Sequence, residues 1–501
     1  LSQMGPLRLR RVVAAPLALV LLAAVLIAVP FANHARCDAW WSPSLQSPLV
    51  RIDDECVGVS DNPVRDFVPQ STLDDGTHQA LNDVYTKIMA ANVEAASKPD
   101  VVTVVFLSVL TPRKANSYAS LVEELRGVWV AQTSSPTPIK VVFANGGEGP
   151  NGEGMASGAI AADKIIDLAA DDPHVVAVTG LSISTDGAKA AIERLGDHAL
   201  PIIGELTSAD DMAEINAYYY QIGPNNRREA RVAAFHAQRS GIADVMIVYS
   251  GDPADRYSQN LAEDAKQEFA NRGIKVGQYQ KYRVNNDKEG LPPDSLGRAA
   301  CSDKKGYAVF YAGRAQHMDQ FLTGMNTACQ GNPPPVIAGD SASRFILDGK
   351  MAQFPNVRLD YVSFANPAAW ADCATVPFYK VYFNAFGGAC QKLADGRSAA
   401  GHDAIRIIAE GVGQVRQLNR EAPVQPGLLA AISNIQRDRS INIATGTISF
   451  GPNSNVPINK AILILRGNTD KTSTPLLLCG DLPFKLAQGL EKPQDCPDDP
   501  K

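Results

Sequence analysis

The chain has 501 residues, 45% hydrophobic and 20% charged, a composition that excludes disordered and fibrous proteins. Lysine and arginine total 47 against 53 acids, for a net charge of −6. That mild acidity argues against a nucleic-acid binder, which carries a basic stripe or patch.

Arg8, Arg10 and Arg11 precede an uncharged run from Val12 to Phe31. Such a run is long enough, as a helix, to cross a hydrocarbon core of roughly 30 Å. Its basic flank fits export with the N-terminal end left in the cytoplasm. Residues 1–35 therefore read as a membrane anchor or a cleaved signal, with the body outside the cytoplasm. Eight cysteines fall into four sequence-local pairs. Eight allow 105 connectivities; nearest-neighbour closure gives Cys37–Cys56, Cys301–Cys329, Cys373–Cys390 and Cys479–Cys496. No pair has the close spacing of a zinc knuckle and no histidine cluster joins them, so no metal site is expected. An even count behind an export segment suits an oxidising compartment.

Residues 36–100 read as an extension holding Cys37, Cys56 and one helix around Thr77–Ser97. From Pro99 onward, short apolar runs alternate with helical segments. Strands are expected at Val101–Val109, Ile139–Ala144, Val175–Thr179 and Leu200–Ile203, with helices between them and one from Ala209. The rhythm restarts at Asp244–Tyr249 and runs through Ile274–Gln280, Ala308–Tyr311 and Pro335–Ala338. Buried runs of this length alternating with amphipathic helices indicate βαβ units and parallel sheets. The break near Gly223-Pro224-Asn225 marks a crossing between two lobes. The expected division is 101–223 with 364–445 as one lobe, 224–363 with 446–470 as the other, and a tail 471–501.

In open α/β sheets a ligand sits at the carboxyl ends of the strands, near helix N-termini. Val175–Thr179 is followed by Gly180…Ser184-Thr185, and Leu200–Ile203 by Gly204-Glu205-Leu206-Thr207-Ser208 with a capping box to Asp211. Hydroxyls and free N–H groups there suit a carboxylate. In the later half Tyr257 and Asp340 suit an ammonium group. Capping alone explains any one of these serines or threonines; four polar junctions on one edge favour binding.

At these residues the chain resembles the type I periplasmic binding proteins, in particular their branched-chain amino-acid group. The resemblance runs from about Val101 to Leu465 through Gly180…Ser184-Thr185, Glu205-Leu206-Thr207, Tyr220-Gln221-Ile222-Gly223-Pro224, Tyr257-Ser258-Gln259-Asn260, Phe310-Tyr311-Ala312-Gly313, Gly339-Asp340 and Gly401-His402-Asp403-Ala404. It implies two Rossmann-like lobes with parallel sheets, joined by a three-segment hinge and closing on a small ligand. It further implies that Ser184 and Thr207, beside Thr185, hold the ligand carboxylate. The Glu205 carbonyl and the Asp340 side chain would take the ammonium, and Tyr257 would line the pocket. Binding without chemistry or cofactor, and delivery to the membrane subunits of an ABC importer, follow from the same resemblance. The family has a small residue where Glu205 stands, and an aromatic near Arg314 and Ala315. A tethered sensor or structural ectodomain of the same fold is the alternative.

Three features invite other readings. Gly147-Glu148-Gly149-Pro150-Asn151-Gly152 has the form of a dinucleotide loop, but Glu148 and Glu153 repel a pyrophosphate and Pro150 lacks a donor; a mobile loop is expected. His402 before Asp403 suits capping or packing. Arg227, Arg228 and Arg231 suit a solvated helix face.

Overall fold

The computed structural model describes residues 37, 48–68, 74–113, 115–181, 183–284, 289–390, 395–452 and 454–499. The anchor or signal read at residues 1–35 lies outside them. Among the described residues no helix is long and apolar enough to cross a membrane.

Two seven-stranded sheets form the two lobes. The first contains β1 (Leu49–Ile52), β2 (Glu55–Ser60), β3 (Val102–Ser108), β4 (Ile139–Asn145), β5 (Val175–Gly180), β6 (Ile202–Gly204) and β7 (Tyr219–Gln221), in the order β1-β2-β4-β3-β5-β6-β7. Strands β3 to β7 pair in parallel. All seven residues of β3 are buried, as a strand covered by helices on both faces must be. The second sheet contains β8 (Asp244–Ser250), β9 (Lys275–Tyr282), β10 (Tyr307–Tyr311), β11 (Val336–Ala338) and β12 (Leu359–Ser363), all parallel. A short hairpin, β13 (Ile441–Ile443) and β14 (Gly446–Ile448), packs on the first core. Strands β15 (Ile462–Gly467) and β16 (Ser473–Cys479) then extend the second sheet antiparallel. The chain thus passes between the lobes three times: after β7 to the second sheet, after β12 back to helices and the hairpin packed on the first core, and after β14 to the second sheet again.

The segment read as an extension therefore supplies an edge hairpin, β1–β2, antiparallel to β4. The tail likewise supplies β16. The four nearest-neighbour disulfides are all present.

Other expectations are corrected. The helix from Ala209 is only a single 3₁₀ turn, Asp210–Met212, and Ser208 makes no cap there. Instead the Ala209 N–H donates to Ser184 Oγ at 3.1 Å, so the segment is tied to the β5 junction. The glycine-rich loop is pinned: the Glu55 carboxylate accepts from Glu148 N–H at 2.9 Å and Gly149 N–H at 3.0 Å, and Arg113 Nε donates to Gly149 O. Arg228 is not on a solvated face. It is 2% exposed, and its guanidinium donates to Lys460 O at 2.9 Å, Pro497 O at 3.0 Å and Asp499 Oδ1 at 3.3 Å. Arg231 reaches Asp498 O and Asp499 as well.

The tail is thus a strap over the helix Asn226–Arg239, fastened by Cys479–Cys496. Opening that link with Cys496→Ser is expected to cost about 2–4 kcal/mol. An unchanged urea midpoint under oxidising conditions would contradict the strap.

Candidate functional site

Gly127 and Gly401 set the floor of the first lobe. A Cβ on Gly127 would stand 1.8 Å from Ser398 O, and one on Gly401 2.5 Å from Glu124 O. Only glycine lets the helices Ala115–Ser134 and Arg397–Leu418 approach this closely. Their contact sets Arg397 beside Glu124, with Nη1 donating to Oε2 at 3.3 Å.

The lobes touch across the cleft. Tyr257 N–H donates to Ser184 O at 3.3 Å and Asp210 N–H to Asn260 Oδ1 at 2.8 Å. Arg256 ties Asp186 and Asp211 of the first lobe to the second. Between the carboxyl ends of the two sheets these contacts leave a cavity of about 270 Å³. Its first-lobe wall includes Leu121, Glu124, Ile183, Thr185 and Arg397; its second-lobe wall includes Asp255, Arg314, Ser341, Arg344 and Phe345. That volume lies just below the roughly 300 Å³ at which pockets for drug-sized ligands begin, so the space suits a small solute.

Of the expected site residues only Thr185 lines the cavity; Ser184 and Tyr257 meet next to it through Ser184 O and Tyr257 N–H, and Tyr257 and Asp340 adjoin Ser341 of its wall. Thr185 caps the helix Asp186–Asp197, accepting from Ala188 N–H, and its hydroxyl donates to Gly154 O at 2.8 Å. Ser184 is buried, with Oγ on Ala209 N–H and its carbonyl facing Tyr257 and Arg314. The Thr207 hydroxyl is buried against the Tyr219 hydroxyl. Tyr257 lies under Arg314, whose guanidinium carbon is 4.4 Å from the ring centroid, and its hydroxyl accepts from Ser341 N–H at 3.4 Å. Asp340 sits directly behind Ser341, its N–H donating to Glu229 Oε1 at 2.8 Å.

Each lobe buries a pair of acids behind this wall. Burial first, and then the charge of Glu124, hold the Glu205 carboxyl well above its ordinary range. Burial and Asp340 do the same to Glu229. Burial also raises Asp340, against the pull of the Tyr257 hydroxyl, Arg314 and Arg397. Opposite these acids stand two arginines. Arg314 is held by Asp255, with Nε at 2.9 Å and 3.0 Å from the two carboxylate oxygens. Arg397 is 26% exposed, and among the described residues its guanidinium makes one hydrogen bond, to Glu124. Its other N–H groups are left for whatever enters the cavity, in the forked geometry that matches a carboxylate.

Glu124 and Arg397 are the residues that strand-end reading misses. Neither follows a strand: Glu124 is in mid-helix, and Arg397 opens a helix that the apolar pattern dates only from His402. The one local signal is Asp395-Gly396, a turn with Gly396 at a φ of 72° immediately before Arg397.

No family model matches the chain, and no curated protein matches it. Solved structures do. An ABC transporter substrate-binding protein from Desulfitobacterium hafniense, in complex with Leu, is 19% identical with a TM-score of 0.56, covering 75% of this chain and 99% of its own. The leucine-binding protein LivK from Thermotoga maritima is 16% identical with a TM-score of 0.59, covering 76% and 99%. A solute-binding protein of an ABC transporter from R. palustris, in complex with benzoate, is 14% identical with a TM-score of 0.58, covering 78% and 99%. Those likenesses give the chain its fold, the two-lobed type I periplasmic-binding fold.

Proposed function

We propose that the chain is an extracytoplasmic solute-binding protein. It closes two lobes on a small carboxylate-bearing molecule, an amino acid or related zwitterion, for an ABC importer. The observation that carries this reading is the cavity of about 270 Å³ between the two sheets, with spare Arg397 donors on one wall. The leucine and benzoate of the structural neighbours share one chemical group, a carboxylate. A carboxylate would sit on Arg397, with Thr185 and Ser341 flanking it. An ammonium would face the acids gathered round Asp340 and Asp255, beside Tyr257. Ser184, Glu205 and Thr207 would support that seat from behind. Such a ligand touches both lobes only when they are closed, and so favours the closed arrangement through differential contacts. Four disulfides suit an oxidising compartment, in keeping with the export segment read at the N-terminus.

Thermal unfolding against a library of amino acids and small aromatic acids tests the proposal. A ligand at about 100 times its Kd stabilises by roughly 2.7 kcal/mol, which appears as a raised midpoint. A library without a single upward shift would overturn the reading and favour a structural ectodomain.

A further inference from the structure

A second arginine, from the other lobe, stands beside Arg397. Arg344 is on the helix Ala342–Leu347, which follows β11 and roots Phe345 and Ile346 in the second core. Like Arg397, it lines the cavity between the sheets. Its Nη2 pairs at 2.6 Å with Asp348 Oδ1, one turn further along in the same lobe. Its Nη1 reaches across to the first lobe, 3.4 Å from Ser120 Oγ and 3.6 Å from Asp395 Oδ2. Two contacts put this group next to Arg397. Ser120 and Glu124 are four residues apart on the helix Ala115–Ser134, hence neighbours on one face, and Glu124 accepts from Arg397 Nη1 at 3.3 Å. Asp395 is shared: its Oδ1 accepts from the Arg397 backbone N–H at 3.3 Å, while its Oδ2 faces Arg344. The hold of Arg344 on the first lobe is loose, since both contacts exceed the roughly 2.7–2.9 Å of a charge-assisted hydrogen bond. Neither Asp395 Oδ2 nor the buried Arg344 Nε has a hydrogen-bond partner among the described residues.

We infer that Arg344 is a specificity-determining residue, the second-lobe jaw of the carboxylate seat. A carboxylate in the cavity lies between Arg397 of the first lobe and Arg344 of the second and accepts from both. Each guanidinium carries five N–H donors in a fixed fork, more than the contacts above occupy. The consequence for the ligand is specific. A carboxylate offers only acceptors to two forks that offer only donors. The amide of the same acid turns an NH₂ group toward one of them and leaves it unpaired. The seat therefore selects solutes whose acid group is free and rejects those in which it is capped. The acid group meets Arg344 only when the lobes are closed, so it contributes directly to closure. This rests on the reading of Arg397 as the carboxylate seat, and the test separates the two.

Calorimetry of the full chain with L-leucine and benzoate, an aliphatic and an aromatic acid, each beside its primary amide, tests the inference. Wild type is expected to bind at least one of these acids, and to prefer it over its amide by roughly 30-fold or more. Arg344→Gln is expected to weaken that acid by roughly tenfold while the amide stays within about threefold, so the preference narrows. An equal loss for acid and amide would mark Arg344 as merely structural and overturn the inference. An acid affinity that is unchanged in Arg344→Gln would overturn it too. Should Arg344→Gln fail to fold, Arg344→Lys serves, because it keeps the charge beside Asp348 and loses the fork. It is expected to narrow the same preference by about fivefold; an unaltered preference would overturn the inference. A wild type that binds neither acid overturns the seat at Arg397 and this inference with it, whereas binding that is indifferent to Arg344 overturns this inference alone.

Discussion

Arg397→Gln is expected to weaken solute binding by roughly 30-fold or more, as measured by calorimetry with the solute that raises the unfolding midpoint most. The size follows from the chemistry of the cavity. Removing one partner of a desolvated, hydrogen-bonded charge pair costs about 2–5 kcal/mol, and every 1.4 kcal/mol is tenfold in Kd. Arg397 spends a single guanidinium hydrogen bond, on Glu124, whereas Arg314 is already forked onto Asp255 and Arg344 is paired with Asp348. Some stability is lost in Arg397→Gln as well, because Glu124 is 1% exposed and loses its arginine. Arg314→Gln strips Asp255 of its partner and uncovers Tyr257, so it too lowers the unfolding midpoint along with affinity. Affinity for the same solute within threefold of wild type in Arg397→Gln would remove the carboxylate seat.

The largest effect on stability is expected at the third crossing. Asp403 is wholly buried, and its carboxylate accepts from Ala444 N–H at 2.9 Å, Thr445 N–H at 2.7 Å and His402 Nδ1 at 2.7 Å. It also faces Lys460, whose ammonium donates to Thr445 Oγ1 at 2.8 Å in a fully buried position. Burial lowers the Lys460 amine to about 8, with Asp403 holding against the fall. Asp403→Ala is expected to destabilise by about 3–5 kcal/mol, because it leaves that charge buried without a counter-charge. The sign with pH follows from Lys460. Between about 8 and its ordinary 10.5 the fold holds fewer protons than the unfolded chain, so stability rises with pH across that window. The deficit of Asp403→Ala should therefore be greater at pH 6 than at pH 9. Lys460→Met added to Asp403→Ala should recover the pH-dependent part and leave the cost of the two stranded amides. A deficit that is equal at both pH values would show that Lys460 is not the burdened group.

The inner parallel strands of both sheets are legible in the sequence because they are buried on both faces and so become continuous apolar runs. Val102–Ser108 and Tyr307–Tyr311 show this, with every residue buried. The antiparallel additions are harder to see. Leu49–Ile52 is intermediate in burial at three of four positions, and Ser473–Cys479 at three of seven with one exposed, so neither makes an apolar run. Arg228 is misread for a related reason: its acceptors, Lys460 O, Pro497 O and Asp499, lie more than 230 residues away along the chain. Near the cleft, strand ends locate Ser184, Tyr257 and Asp340 because their backbones lie there. They do not locate Glu124 and Arg397, which reach the cavity through the close packing of two helices at Gly127 and Gly401.

Mass spectrometry of small molecules released on denaturing the purified chain addresses the two-lobed grip most directly. Wild type should release one carboxylate-bearing metabolite near one equivalent per chain, and Arg397→Gln, purified alongside, should release little of it. Release of a molecule without a carboxylate, or equal release from both proteins, would contradict a solute clasped at Arg397 between the lobes.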